Sequence, residues 1–146
     1  AVFALGAFLA GLAGGLFAMA TDDYWIDTGR PELYLQANLD VLAATRAHDR
    51  CQPVHETATV HPQAVVERSV VGAHAQVADA TITGSVLLPG AVVESGAVVT
   101  DSVLMGRVGA GAVVHNCVLG ADGVVAPGEH LRDQRRPDPN SGSTGT

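Results

Sequence analysis

The residue placed most like part of a reaction centre is Asp27, in the stretch from Tyr24 to Tyr34, YWIDTGRPELY. The aromatic and β-branched run ahead of it reads as a strand, and the Gly-x-Pro that follows reads as a turn into a helix. A carboxylate at the C-terminal end of a strand is where a site acid is often held, yet nothing upstream has the pattern to complete a site. Other chemistries fall away by residue type. The sequence has eight arginines and no lysine, so it cannot supply a Schiff base, a P-loop lysine or a lysine clamp on a sugar phosphate. Cys51 and Cys117 stand far apart, outside any Cys-x-x-Cys pair or Cys/His cluster with zinc spacing, and are expected to be reduced thiols.

The elements that would position Asp27 come next. At 146 residues and 47% hydrophobic the chain is about one domain and can bury a core, but aromatics are only 4%, so that core must be built from small aliphatic residues in thin layers. A net charge of -7 argues against nucleic acid, whose phosphates call for clustered Lys and Arg. Residues 1–20 carry no charge and reach the length of a membrane-spanning helix, and Ala18-Met19-Ala20 imitates a signal cleavage site. Gly11, Gly14 and Gly15 interrupt the run, so it reads instead as a buried helix over about residues 1–13, a Gly14-Gly15 turn and a strand over Leu16–Ala20. No membrane span is expected. After Asp27, Thr28-Gly29-Arg30-Pro31-Glu32 has the grammar of a helix start, with proline near the first helical position and an acid at the positive end of the dipole. Leu35, Leu39 and Leu42 then recur on one side, predicting an amphipathic helix over 31–47, with Arg46, His48 and Arg50 near its C-terminus.

From residue 54 the sequence repeats. Ser69-Val70-Val71, Ser85-Val86-Leu87, Ser102-Val103-Leu104 and Cys117-Val118-Leu119 recur after 16, 17 and 15 residues, with Gly-Ala-Val-Val units between them. Aliphatic residues at 54, 60, 66, 71, 77, 82, 87, 93, 99, 104, 108, 114, 119 and 125 advance mostly by five or six. Such a period would scatter the apolar residues around a helix, so three short strands and three tight corners per coil fit instead. Each strand pairs with its copy one coil above, at roughly 4.8 Å, and the aliphatic column fills the interior. At Leu104–Val108 the step drops to four, which predicts one short corner. The polar stretch after Gly128 reads as a frayed tail, with Leu131 as a candidate to close the last coil.

The hexad series with its Gly-Ala-Val-Val and Ser-Val-Leu repeats resembles the hexapeptide left-handed β-helix. Tyr24-Trp25-Ile26-Asp27-Thr28-Gly29-Arg30-Pro31-Glu32-Leu33-Tyr34 resembles the Y-W-x-D-x-G-T-P-x-x-Y motif that closes the catalytic domain of nucleoside-diphosphate-sugar pyrophosphorylases, the mannose-1-phosphate guanylyltransferase branch above all. The resemblance implies a mainly β fold: a left-handed parallel β-helix preceded by a short α/β remnant of a nucleotidyltransferase domain and a linker helix. The divisions expected are 1–30 for the remnant, 31–50 for the linker helix, 51–128 for the β-helix and 129–146 for a disordered tail. It also implies that Asp27 helps hold Mg²⁺ against nucleotide phosphates, a role suited to a hard carboxylate oxygen. Arg30 replaces the family's usual Thr. The family's Gly-rich nucleotide loop, sugar-phosphate lysine and second metal acid are not in this sequence. The expectation is therefore a C-terminal portion of a cytoplasmic enzyme, silent alone, whose β-helix supports a homo-oligomer, with nucleotide, sugar phosphate and Mg²⁺ bound only in the complete enzyme.

Two rival readings use the histidines. In a hexapeptide acyltransferase His74 or His115 would act as general base on an acceptor, although no long acceptor-binding loop interrupts the repeat. In a hydratase similar to γ-class carbonic anhydrases, His55 and His61 would share zinc with a third histidine. Residues six apart on successive sides converge poorly on the short bonds zinc requires.

Overall fold

The computed structural model describes residues 29–43 and 52–137. Short aliphatic pairs bounded by small residues cannot make long strands, and the chain forms fifteen strands of two or three residues each. They stack into three parallel five-stranded sheets, the faces of a five-coil solenoid. The first face holds β1 (Thr59–Val60), β4 (Gln76–Val77), β7 (Val92–Val93), β10 (Arg107–Val108) and β13 (Val124–Val125). The second holds β2 (Val65–Glu67), β5 (Thr81–Thr83), β8 (Val98–Thr100), β11 (Val113–His115) and β14 (His130–Arg132). The third holds β3 (Val70–Val71), β6 (Val86–Leu87), β9 (Val103–Leu104), β12 (Val118–Leu119) and β15 (Arg135–Arg136).

The predicted aliphatic column is the core. Val71, Val77, Ile82, Leu87, Val93, Val99, Leu104, Val108, Val114, Leu119 and Val125 are all buried, each over its counterpart in the next coil. Val60 and Val66 are only partly buried and Val54 is exposed, because no coil covers them from below. The register shifts by 16, 17 and 15 residues from Val70 to Val86 to Val103 to Val118, so strict pairing absorbs each change in corner length.

The tail expected from 129 onward is corrected. The coil continues through β14 and β15 to Arg136, and Leu131 takes the inward place above Val114. Its polar neighbours point outward, where a strand needs no apolar residue, which is why composition concealed it. The helix is also shorter than the expected 31–47: α1 runs Pro31–Leu42, with Arg30 at its N-cap, Pro31 in its first turn and Ala43 at its C-cap. None of its side chains is fully buried, so packing does not extend it. Asp27, Cys51, the N-terminal run, and Arg46, His48 and Arg50 lie outside the described residues. Among those described, no helix is long and apolar enough to cross a membrane.

Two devices keep the coils in register. Ser69, Ser85 and Ser102 are buried, and each hydroxyl donates to the carbonyl two residues earlier. Each hydroxyl oxygen in turn accepts an N–H from the coil above: Ser85 N to Ser69 Oγ at 3.0 Å, Ser102 N to Ser85 Oγ at 3.1 Å and Cys117 N to Ser102 Oγ at 3.0 Å. The polar side chains thus satisfy one another inside the wall. The second device is the short corner. Met105-Gly106 replaces the four-residue corners such as Leu88–Ala91, and the chain cuts inward so far that a Cβ on Gly106 would lie 2.0 Å from the Gly123 carbonyl oxygen. Only glycine fits there.

Candidate functional site

The third face differs from the other two in what lies outside it. Its outward residues Val70, Val86, Val103 and Val118 form a second apolar column, and Val86 and Val103 are almost wholly covered, at 2% and 6% exposure. The cover is α1. Leu35 lines a cleft with Val103 and Val118 near the last coils, while Leu39 and Leu42 line another with Pro53, Val54 and Val66 at the first coil. The helix therefore runs along the coil axis, and its twelve residues, about 18 Å, match the height of the five stacked strands. Because both sides of this sheet are covered, its strands are apolar at consecutive positions rather than alternating. The Ser-Val-Val and Ser-Val-Leu doublets were the sequence signal for this docking face.

At the end nearest the last coil, Arg135 bonds the Glu32 carboxylate at 2.5 Å. The bond from its own backbone N–H, with Arg135 beside it, holds the Glu32 carboxyl below the usual glutamate range. The adjoining cleft, about 220 Å³, is edged by Pro31, Asp101, Asn116, Asp133 and Arg135, and Asn116 Nδ2 donates to Asp133 Oδ1 at 2.7 Å. Asp101, Asn116 and Asp133 stack at one corner with positive φ, a conformation that Asn and Asp tolerate better than most residues. Elsewhere carboxylates brace the corners. Glu94 accepts from Arg107 and from the Ala110 N–H at 3.0 Å, and Glu129 accepts from Arg136 and the Ala126 N–H at 2.8 Å. The arginine bond, followed by the backbone N–H, lowers each of these two glutamate pKa values.

The structure separates the histidines. His74 sits at a corner between the third and first faces with φ 57°, its N–H donating to Thr57 Oγ1 at 3.1 Å. His115 is in β11 on the second face. His74 thus stands at the corner after the first coil and His115 in the fourth. His55 contacts Thr57 Oγ1 through Nδ1 at 2.9 Å, whereas His61 Nδ1 accepts from the Gln63 N–H at the next corner. Among the described residues, no group of three or more His, Cys, Asp or Glu side chains could hold a metal ion. Cys117 is a free, buried thiol that takes the place of a fourth serine in the ladder and donates to the His115 carbonyl.

A three-walled parallel solenoid of hexads with a helix laid along one wall defines a hexapeptide-repeat protein. The family described as GlmU-like, C-terminal hexapeptide matches residues 53–141, more than half of the chain, and the chain belongs to that family. No curated protein sequence matches it significantly.

Proposed function

We propose that this chain is the supporting and assembling portion of a sugar-phosphate nucleotidyltransferase, which joins a sugar 1-phosphate to an NTP and releases pyrophosphate, with mannose 1-phosphate and GTP as substrates. One arrangement carries the reading: the Tyr-Trp-x-Asp-x-Gly-x-Pro motif runs directly into α1, and α1 is docked along a coil of the GlmU-like hexapeptide family. The helix then acts as a strut, fixing the catalytic motif relative to the coil through the covered valine column and the Arg135–Glu32 contact. In this reading the coil winds left-handed, the enzyme works in the cytoplasm, and the coil holds copies together as a homo-oligomer. Asp27 would contribute one carboxylate to Mg²⁺, and the ion would supply neutralisation of the charge that develops on the phosphates. The described residues provide no donor set for that ion, so its remaining ligands, the nucleotide loop and the sugar-phosphate cation belong to catalytic residues beyond these. With no lysine in the sequence, phosphate chemistry cannot be completed in the customary way by this chain.

Isotope exchange between pyrophosphate and GDP-mannose, measured with Mg²⁺ and this polypeptide alone, is expected to give no turnover. Exchange should appear when the chain is joined to a catalytic domain of this class and fall at least a hundredfold in the Asp27→Asn variant. Turnover by the polypeptide alone, or an indifferent Asp27→Asn, overturns the reading.

A further inference from the structure

Between α1 and the first coil lies an apolar cleft of about 630 Å³, against about 220 Å³ for the cleft at the other end of the helix. Leu39, Leu42, Pro53, Val54 and Val66 form its walls. Packing stops short at these residues: Leu39, Leu42 and Val66 are only half-buried, and Val54, which bridges to Val71 at the lower end of the inward column, is 38% exposed. The rim carries Asp40 and Arg68, one charge of each sign. A strongly acidic or strongly basic partner would meet one of the two unfavourably, whereas an uncharged apolar segment meets neither so.

The chain carries such a segment itself. Residues 1–20 have no charge and hold all three of its phenylalanines, Phe3, Phe8 and Phe17. The core of the coil is built from Val, Ile, Leu, Ala and Cys, too narrow for a ring, so these side chains must find their cover outside it. Within the helix read from the sequence over about residues 1–13, Leu5, Phe8, Leu9 and Leu12 fall at i, i+3, i+4 and i+7, a single apolar stripe. The linking residues 14–28 can span up to about 50 Å when extended, well beyond the roughly 18 Å from the start of α1 to the cleft.

We propose that residues 1–13 dock as a helix in this cleft, with Leu5, Phe8, Leu9 and Leu12 set against Leu39, Leu42, Val54 and Val66. The docked segment closes the open lower end of the core and grips the C-terminal half of α1, in the manner of an amphipathic helix laid in an apolar groove. The contact does not depend on which reaction the complete enzyme performs.

A photoreactive benzoylphenylalanine in place of Val54, in the full chain, tests the occupant directly. After irradiation, cross-links within one chain to residues 1–13 are expected. Capture of residues 44–51, of a second copy, or of nothing overturns the proposal. Phe8→Asp should speed amide exchange at Leu39 to Leu42 by about tenfold or more and leave β6 and β9 protected, because the carboxylate cannot enter the cleft, whereas Phe8→Leu should exchange as the parent does. An α1 indifferent to Phe8→Asp overturns the proposal as well. Should Phe8→Asp unfold the coil, the cross-link alone decides. Pyrophosphate exchange in the joined enzyme reports on the reaction and is independent of both results.

Discussion

Arg135, in the last strand of the coil, donates to Glu32 in the first turn of α1, 103 residues earlier in the chain. The contact ties together the two ends of the described structure, yet both side chains are more than half exposed. An exposed pair contributes less than about 1 kcal/mol, so it steers the helix more than it stabilises the coil. Arg135→Ala should therefore leave the urea midpoint nearly unchanged while α1 amides exchange faster and those of β6 and β9 do not. Equal acceleration in all three elements would show that the contact holds the whole fold.

The inward column makes a harsher demand. Val93 is 1% exposed between Val77 and Val108, so Val93→Asp places a carboxylate where neither water nor a counter-charge reaches. Burying such a group costs more than about 4 kcal/mol, enough to unfold a domain of ordinary stability. Val124→Asp, one residue before the inward position of β13 and 57% exposed, should change stability by no more than about 0.5 kcal/mol. Similar denaturation curves for the two variants would contradict the assignment of sides.

The inward column was legible because burial on all sides leaves only aliphatic residues at every fifth or sixth position, and the constancy of coil height forces the 16, 17 and 15 spacing to reappear as register. Leu131 was the weak point: His130 and Arg132 on either side face outward and masked its inward role. Glu94 and Glu129 were invisible as corner braces, since their partners Ala110 and Ala126 donate through backbone N–H groups that carry no residue signature. The cover over Val86 and Val103 was encoded in the paired apolar positions, but a doublet alone does not say which element lies on it. The site carboxylate Asp27 was readable only through its motif, because a metal site is defined by convergence and a single acid shows none.

The serine ladder gives a graded test. Ser85→Ala removes the acceptor of the buried Ser102 N–H, whereas the Thr83 carbonyl loses one donor and keeps the Asp101 N–H. Leaving such an N–H unsatisfied costs about 1–3 kcal/mol. Ser85→Cys should cost less, because Cys117 already occupies the equivalent place with its thiol directed at the His115 carbonyl. Denaturant midpoints in the order parent, cysteine, alanine are expected; an alanine variant as stable as the parent would show that the ladder fills space without bonding.

The glycines at two corners are needed for different reasons. A Cβ on Gly106 would meet the Gly123 carbonyl at 2.0 Å, and backbone cannot yield by that much, so Gly106→Ala should disrupt the third and fourth coils. Gly111 has open space around its missing Cβ but φ of +67°, so Gly111→Ala should cost only about 1–2 kcal/mol of left-handed strain. Thermal unfolding separates the cases: a broad, early transition for the first, and a modest shift of an unchanged transition for the second.

Acid should loosen the corners before it reaches the core. Glu94 and Glu129 have carboxyl pKa values lowered from 4.5, each chiefly by the bonded arginine and next by a corner N–H. A depressed folded-state pKa means that the unfolded chain takes up protons first as pH falls. Their contribution is therefore complete above the ordinary glutamate range and is lost as pH drops through 4.5 toward the lower folded-state values. Stability measured by urea should be flat from pH 7 to about 5 as far as these groups are concerned, then decline. The Glu94→Gln, Glu129→Gln double variant should be less stable at neutral pH and show a shallower acid decline, and high salt should narrow its difference from the parent because both pairs face solvent. Parallel curves for parent and double variant down to pH 3 would mean that these carboxylates do not brace the corners.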